Sequence, residues 1–199
     1  MCPIVIVGTG LAGYTLAREL RKLDAEIPLV LVTSGDGAFY SKPMLSNALA
    51  QGKRARELAS ADAAQMVRQL NARILTRTRV EAIDPGAHRI QLNGEMLDYN
   101  RLVLAVGAVP IRLPTAGKGA EEVLTVNDLD DYARFRERLE GAKRVAIIGP
   151  GLIGCEFAND LATSGRSVTV IGPDQAPLGR LLPLQAGQAL QAGLAGAGI

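Results

Sequence analysis

The sequence is poor in the residues that carry most redox and metal chemistry. It has two cysteines, Cys2 and Cys155, 153 positions apart, so it encodes no Cys-x-x-Cys pair, no thiolate metal set and no disulfide framework. Its one histidine, His88, lies in Ala87-His88-Arg89-Ile90 between a turn and a short strand, with no ligand-type residue beside it. It reads as an ordinary surface histidine, and no metal site is expected. Neither sign of charge dominates: 22 Lys and Arg face 20 Asp and Glu, a formal +2. That balance argues against nucleic acid or a lipid surface as the main partner. The longest nearly unbroken apolar run, Leu102 to Pro110, has nine residues, against the ~20 needed to cross a bilayer. Met1-Cys2-Pro3-Ile4 enters an apolar run without the basic start and cleavage site of a signal peptide. A cytoplasmic location is the expectation.

Present instead is a globular mixture, 48% hydrophobic and 21% charged over 199 residues, long enough for one domain or two small ones. Within it one signature occurs twice. Ile4-Val5-Ile6-Val7 leads into Gly8-Thr9-Gly10-Leu11-Ala12-Gly13, which opens a helical pattern through Leu16, Ala17, Leu20 and Leu23. The order returns 141 residues later: Val145-Ala146-Ile147-Ile148, then Gly149-Pro150-Gly151-Leu152-Ile153-Gly154, then Phe157, Ala158 and Leu161 on a helix. Each reads strand, tight turn, helix, the dinucleotide-binding fingerprint. Its first glycine makes the turn, its second lets a pyrophosphate approach the backbone, and its third lets helix and strand pack closely. Unpaired amides at the helix start then hold the anion.

Each fingerprint should be followed about 20 residues on by a carboxylate that binds a ribose hydroxyl. After the first, the strand Leu29-Val30-Leu31-Val32 ends at Thr33-Ser34-Gly35-Asp36, so the acid is replaced by Thr33 or displaced to Asp36. Ribose contact is expected from Thr33 and Ser34. After the second, Val168-Thr169-Val170-Ile171 ends in Gly172-Pro173-Asp174, again with a late carboxylate. No Arg or Lys lies between Val168 and Ala176 to receive a 2′-phosphate, which favours NAD over NADP.

Between the fingerprints the pattern predicts a short helix over Ala61 to Leu70, strands at Ile74-Leu75, Val80 to Ile83 and Arg89 to Leu92, and an Asn93-Gly94 hairpin turn into Glu95 to Leu97. A buried-looking strand, Leu102 to Gly107, follows, and Pro110, Pro114 and Thr115-Ala116-Gly117-Lys118-Gly119 mark an exit and linker. Val126-Asn127-Asp128-Leu129 begins a helix, with Asn127 as its expected cap, that continues through Tyr132, Phe135 and Leu139 and stops at Gly141. The domain boundary is expected near residues 110–120. The basic residues Arg134, Arg136, Arg138, Lys143 and Arg144 alternate with Asp130, Asp131, Glu137 and Glu140, which reads as a solvated mixed face.

With these residues in view, the whole chain resembles the FAD-dependent pyridine nucleotide oxidoreductases, and among them the rubredoxin-reducing branch. The most specific stretches are Gly8 to Tyr14 with Leu16-Ala17-Arg18-Glu19, Tyr40-Ser41-Lys42-Pro43-Met44-Leu45-Ser46, and Gly151 to Leu161. The resemblance implies an α/β fold of two Rossmann-like dinucleotide-binding domains of three-layer ββα/βαβ type, FAD over 1–112 and NAD over 113–199, both incomplete at their carboxy-terminal ends. It also implies that Gly8, Thr9, Gly10, Leu11, Ala12 and Gly13 hold FAD, with Lys42 near the pyrophosphate and Val80 reaching the adenine through its backbone. Gly149, Gly151 and Gly154 would hold NAD(H). Where the family's intervening strand ends in Ala-Thr-Gly, this chain has Ala105-Val106-Gly107; the glycine is kept and the threonine is missing. Glu156 matches the catalytic carboxylate of Gly-x-Gly-x-x-Gly-x-Glu, placed where flavin meets nicotinamide. The lysine with which ferredoxin reductases often pair it is replaced by Asn47.

The disulfide relatives' Cys-x-x-x-x-Cys near the first helix is missing, so electrons would leave the flavin directly. A flavin takes a hydride and can release electrons singly, which suits an iron-centred acceptor such as rubredoxin, as in alkane-hydroxylating electron-transfer chains. Flavorubredoxin, ferredoxin or oxygen are the alternative acceptors. No Gly-Asp pair that would close the FAD site occurs after residue 161, so the chain reads as an amino-terminal portion. A nucleotide-binding module without turnover is therefore the other reading.

Overall fold

The structure is a computed structural model that describes residues 2–199. The chain forms two compact units: residues 1–42 with 59–111, and residues 43–58 with 112–199. The later boundary falls between Ile111 and Arg112. The division differs from a first domain running unbroken over 1–112, because residues 43–58 go with the second unit.

The first unit is built on four short parallel strands, β1 (Ile4–Val7), β2 (Leu29–Val32), β5 (Arg73–Leu75) and β9 (Arg101–Leu104), in the order β5-β2-β1-β9. Alternation along β1 and β2 decides what lies on each face. Ile6, Leu29 and Leu31 join Tyr14, Ala17, Met66 and Leu70, from the helices α1 (Leu11–Leu23) and α3 (Ala63–Leu70), in one core. Val5, Val30 and Val32 join Ile90, Leu92 and Tyr99 in another. The second core lies under an antiparallel meander of β6 (Val80–Asp84), β7 (Arg89–Leu92) and β8 (Glu95–Asp98). Helices, parallel sheet and meander are the three layers. A pair of very short strands, β3 (Phe39–Tyr40) and β4 (Ala59–Ala61), flanks the excursion over 43–58, which ends in the one-turn helix α2 (Ala55–Leu58).

Local chemistry accounts for the ends of these elements. Asp62 accepts the Gln65 amide at 2.7 Å while the Gln65 side chain accepts the Asp62 amide at 2.8 Å, a capping box that starts α3 two residues later than its apolar pattern suggested. Asn71 ends α3 in the left-handed region at φ 42°. Arg21, in the last turn of α1, donates to the carbonyls of Leu70, Ile27 and Asn71, tying together the carbonyl-rich ends of two helices. Asn93 and Gly94 both take positive φ, as a two-residue hairpin turn requires.

In the second unit β10 (Arg144–Ile148) and β11 (Ser167–Ile171) pair in parallel around α5 (Leu152–Thr163), with α4 (Leu129–Arg138) before them and α6 (Leu184–Gly196) after. Tyr132, Phe135, Leu139, Ala158 and Leu161 are buried, and Phe135 meets Phe157 edge-on with ring centres 5.5 Å apart. The cap of α4 is Asp128 and not Asn127. The Asp128 carboxylate accepts the Asp131 amide at 2.7 Å, three residues ahead, where an Ncap side chain reaches; Asn127 lies one residue too early and donates its own amide to Asp131 at 2.9 Å. The fourth strand of the first sheet is also shorter than its apolar run. Its ladder continues through the Ala105 amide to the Val7 carbonyl at 2.8 Å, and Gly107 then turns the chain at φ 69°.

Candidate dinucleotide-binding sites

In the first unit β2 and β5 lie to one side of β1 and β9 to the other, so the strand order reverses at β1, and its carboxyl end is the switch point at which open α/β sheets bind ligands. The first fingerprint stands there. Gly8, at φ 113°, passes so close to the loop after β9 that a Cβ would lie 2.1 Å from the Ala105 carbonyl oxygen. A Cβ on Gly13 would lie 1.9 Å from the Gly8 carbonyl oxygen. These two glycines therefore serve the fold, bringing α1 down onto the turn. Gly10 is different: its backbone is extended, and a Cβ there meets nothing within 4 Å. The space above it is open. The first helical hydrogen bond is from the Tyr14 amide to the Gly10 carbonyl at 3.0 Å, so the amides of Leu11, Ala12 and Gly13 have no acceptor within the helix. Gly10, Leu11 and Ala12 are exposed, while Thr9 is buried.

Tyr14 anchors α1 behind this turn. Its ring is fully buried, edge-on to Phe39 at 5.6 Å, and its hydroxyl donates to the Gly37 carbonyl. Burial, followed by the charge of Asp36, pushes its pKa up to about 12.

The second fingerprint repeats the arrangement within its own unit. A Cβ on Gly154 would lie 2.0 Å from the Gly149 carbonyl oxygen, and one on Gly151 meets nothing within 4 Å. The first helical bond runs from the Cys155 amide to the Gly151 carbonyl at 2.9 Å, leaving the amides of Leu152, Ile153 and Gly154 at the helix mouth. Pro150 occupies the position of Thr9, and its carbonyl accepts the Leu178 amide at 2.9 Å. A Cβ on Gly172 would lie 2.2 Å from the proline ring, so the end of β11 is committed to glycine by the proline in the turn.

One turn into α5 stands Glu156, half-buried. Its carboxylate accepts a hydrogen bond from the hydroxyl of Ser46, a residue of the 43–58 excursion that is itself only 2% exposed. One turn further on, Asp160 is 4% exposed and accepts the amides of Leu49 at 2.8 Å and Ala50 at 2.9 Å. The Lys53 carbonyl accepts from Tyr132 at 3.1 Å and from Arg136. Five side chains thus tie the excursion to α4 and α5.

The match to the family of pyridine nucleotide-disulphide oxidoreductases runs over residues 2–199. The chain belongs to this family. Among curated relatives it is similar to Rubredoxin-NAD(+) reductase of Acinetobacter baylyi, 50% identical over all of this chain and 52% of the relative, and to the protein of the same name from Alcanivorax borkumensis, 48% identical with the same coverage. The chain spans about half the length of the curated relatives it matches. Among solved structures it is similar to the reductase in the covalent putidaredoxin reductase–putidaredoxin complex, with TM-score 0.89, 31% identity, and coverage of 99% of this chain and 48% of that one. Among the described residues Cys2 and Cys155 are both free.

The residues present fit the two dinucleotides such a family uses. Both second glycines open onto free space with three helix-start amides beside them, where a pyrophosphate finds unpaired donors and the positive end of a helix dipole. Of the other expected contacts, Gly107 lies in the loop after β9, two residues beyond the Ala105 carbonyl that Gly8 approaches. Val80 starts β6 and packs on the core beneath the meander. Thr33 follows β2, but its hydroxyl accepts the Gly35 amide at 3.2 Å, and Asp36 accepts the Ala38 amide at 2.9 Å, so both candidate ribose partners are also turn-forming groups. Ser34 and Lys42 are exposed. Lys42 is the last residue of the first unit before the excursion.

Sequence reasoning assigned no role to Asp160 or Gly172. Asp160 lies three residues after Phe157 and next to Leu161, on the buried side of α5, and a lone carboxylate on an apolar helix face is the signal that marks it. For Gly172 the signal is faint, since it depends on Pro150, 22 residues earlier.

Proposed function

We propose that this chain forms the FAD- and NAD(H)-binding part of a reductase that passes electrons from NADH through flavin to rubredoxin. The observation that carries the reading is the pair of open glycine turns, Gly10 and Gly151, repeated in two units of one chain. The relatives named Rubredoxin-NAD(+) reductase, at 50% and 48% identity, support the choice of acceptor. In this reading Gly8 and Gly13 shape the first turn, Gly10 leaves room for the FAD pyrophosphate, and the amides of Leu11, Ala12 and Gly13 hold it beside Thr9. Lys42 adds a positive charge for the same phosphates. Thr33 and Ser34 hold the ribose, the Val80 backbone meets the adenine, and Gly107 allows the loop after β9 to pass close to the flavin. Gly149, Gly151 and Gly154 do for NAD what the first set does for FAD.

FAD, when bound, accepts two electrons as hydride and releases them one at a time. Glu156, two residues past Gly154 on α5, is the carboxylate we assign to the nicotinamide end, on the resemblance of its Gly-x-Gly-x-x-Gly-x-Glu motif to that of the family. With no thiol pair in the chain to take electrons onward, the acceptor is an external one-electron centre. A cytoplasmic location, where NADH is supplied, is part of the proposal.

The test is stopped-flow kinetics on the full-length flavoprotein. NADH should bleach the flavin, and rubredoxin should reoxidise it far faster than oxygen does. Reoxidation no faster with rubredoxin than with oxygen would refute the choice of acceptor. A full-length protein that purifies colourless would refute the FAD assignment itself.

A further inference from the structure

Ser46 belongs to neither glycine turn, yet its hydroxyl touches the carboxylate assigned to the nicotinamide. It has one proton and two acceptors within reach: the Glu156 carboxylate and, at 3.1 Å, the Pro43 carbonyl. A donor approaches from the third side, the Asn47 amide at 3.4 Å from the hydroxyl oxygen. The hydroxyl is fixed from both segments that meet at it. Its backbone lies in the tight turn over Lys42–Ser46, and Leu49 and Ala50, just beyond, are held by Asp160 one turn along the helix from Glu156.

We propose that Ser46 is a positioning residue for Glu156, keeping its carboxyl group in one orientation whether that group is ionised or protonated. The inference rests on the reading of Glu156 given above. When Glu156 is ionised, the Ser46 hydroxyl donates to it. When Glu156 carries a proton, it donates to the Ser46 oxygen, and the Ser46 proton turns to the Pro43 carbonyl. No polar group loses a partner in either state. A lysine in this role has donors only and pairs with the ionised form alone; a hydroxyl, which both donates and accepts, serves both. The other ionisable groups on the two elements do not compete for the contact. Asp160 is committed to two amides, Cys155 turns to the Pro150 carbonyl at 3.7 Å, Lys42 at the start of the turn is exposed, and Lys53, Arg54, Arg56 and Glu57 lie at the far end of the excursion. From α4, Arg136 is turned onto the Lys53 carbonyl.

The test has two parts. In the 199-residue chain with ¹³C-labelled glutamate, the Glu156 carboxyl signal is assigned by its loss in Glu156→Gln. Ser46→Ala should displace and broaden this signal, because the carboxyl group is no longer held in one orientation, and Ser46→Thr should restore it. Ser46→Cys, of similar size and a weak donor, should act the same way as alanine and serves if the alanine variant does not fold. A purely structural serine would change the melting temperature and leave the Glu156 signal in place; a signal unmoved in a folded Ser46→Ala or Ser46→Cys chain overturns the proposal. In the full-length flavoprotein, Ser46→Ala should lower the limiting rate of flavin reduction by NADH about five- to tenfold, with rescue by threonine. A displaced signal with an unchanged rate would leave Ser46 as the partner of Glu156 and overturn the role of Glu156 at the nicotinamide.

Discussion

Gly10 and Gly13 stand three residues apart in the same turn, and the structure separates what each is for. A methyl group added at Gly13 would lie 1.9 Å from the Gly8 carbonyl oxygen, where contacts are ordinarily 3.4 Å or more, and the obstacle is backbone. The helix must lift by about 1.5 Å or the turn must open. Either loosens a core in which Ile6, Tyr14 and Ala17 are fully buried, and overpacking of this kind costs about 1–3 kcal/mol or more. At Gly10 the backbone is extended at φ −71° and ψ −173°, which any residue adopts, and nothing lies within 4 Å of the added atom. Gly10→Ala should change stability by no more than about 0.5 kcal/mol, the gain from a less flexible unfolded chain offsetting alanine's poorer capping. Its methyl would stand where the FAD pyrophosphate must approach. Affinity for FAD should fall at least tenfold, about 1.4 kcal/mol. Urea denaturation of the 199-residue chain measures the first quantity for both variants, and FAD titration of the full-length apoprotein the second. Gly13→Ala should fail the first measurement and Gly10→Ala only the second. A Gly10→Ala protein that binds FAD as tightly as the parent, or a Gly13→Ala chain of parental stability, would refute the division of labour.

Three further outcomes are expected. Asp160→Ala removes the acceptor of a buried Leu49 amide and an exposed Ala50 amide; it should cost about 2–4 kcal/mol in urea denaturation and speed hydrogen exchange at Leu49, and unchanged exchange there would count against the tie. Tyr14, with its pKa pushed to about 12 against 10 in the unfolded chain, keeps its proton in the fold while the unfolded chain ionises. Stability from this group is therefore complete below pH 10 and lost between pH 10 and 12, and Tyr14→Phe should flatten that part of the stability profile. Glu156→Ala in the full-length flavoprotein should leave FAD bound and slow hydride transfer from NADH about tenfold, roughly 1.4 kcal/mol, which rapid mixing reads directly.

What the sequence determined by itself was everything with a short-range cause. A glycine that must pass a carbonyl five residues away, a strand period that puts Ile6 and Val5 on opposite faces, and an Asn-Gly hairpin are all written within a few positions, because sterics and side-chain period act over that distance. The two fingerprints were legible for this reason. The choice between Asn127 and Asp128 as a cap was not, since both side chains suit the position and only the path of the chain into α4 decides which one reaches the Asp131 amide. Longer-range pairings lay further out of reach. Gly172 is required by the ring of Pro150 only once β10 and β11 lie side by side. Residues 43–58 leave the first unit because Asp160 and Glu156, more than 100 positions away, offer buried or half-buried carboxylates that need donors, and the turn after Lys42 supplies a hydroxyl and two amides. A carboxylate buried without partners is costly. No local pattern records where such donors will come from, and only the folded chain brings them within hydrogen-bonding distance.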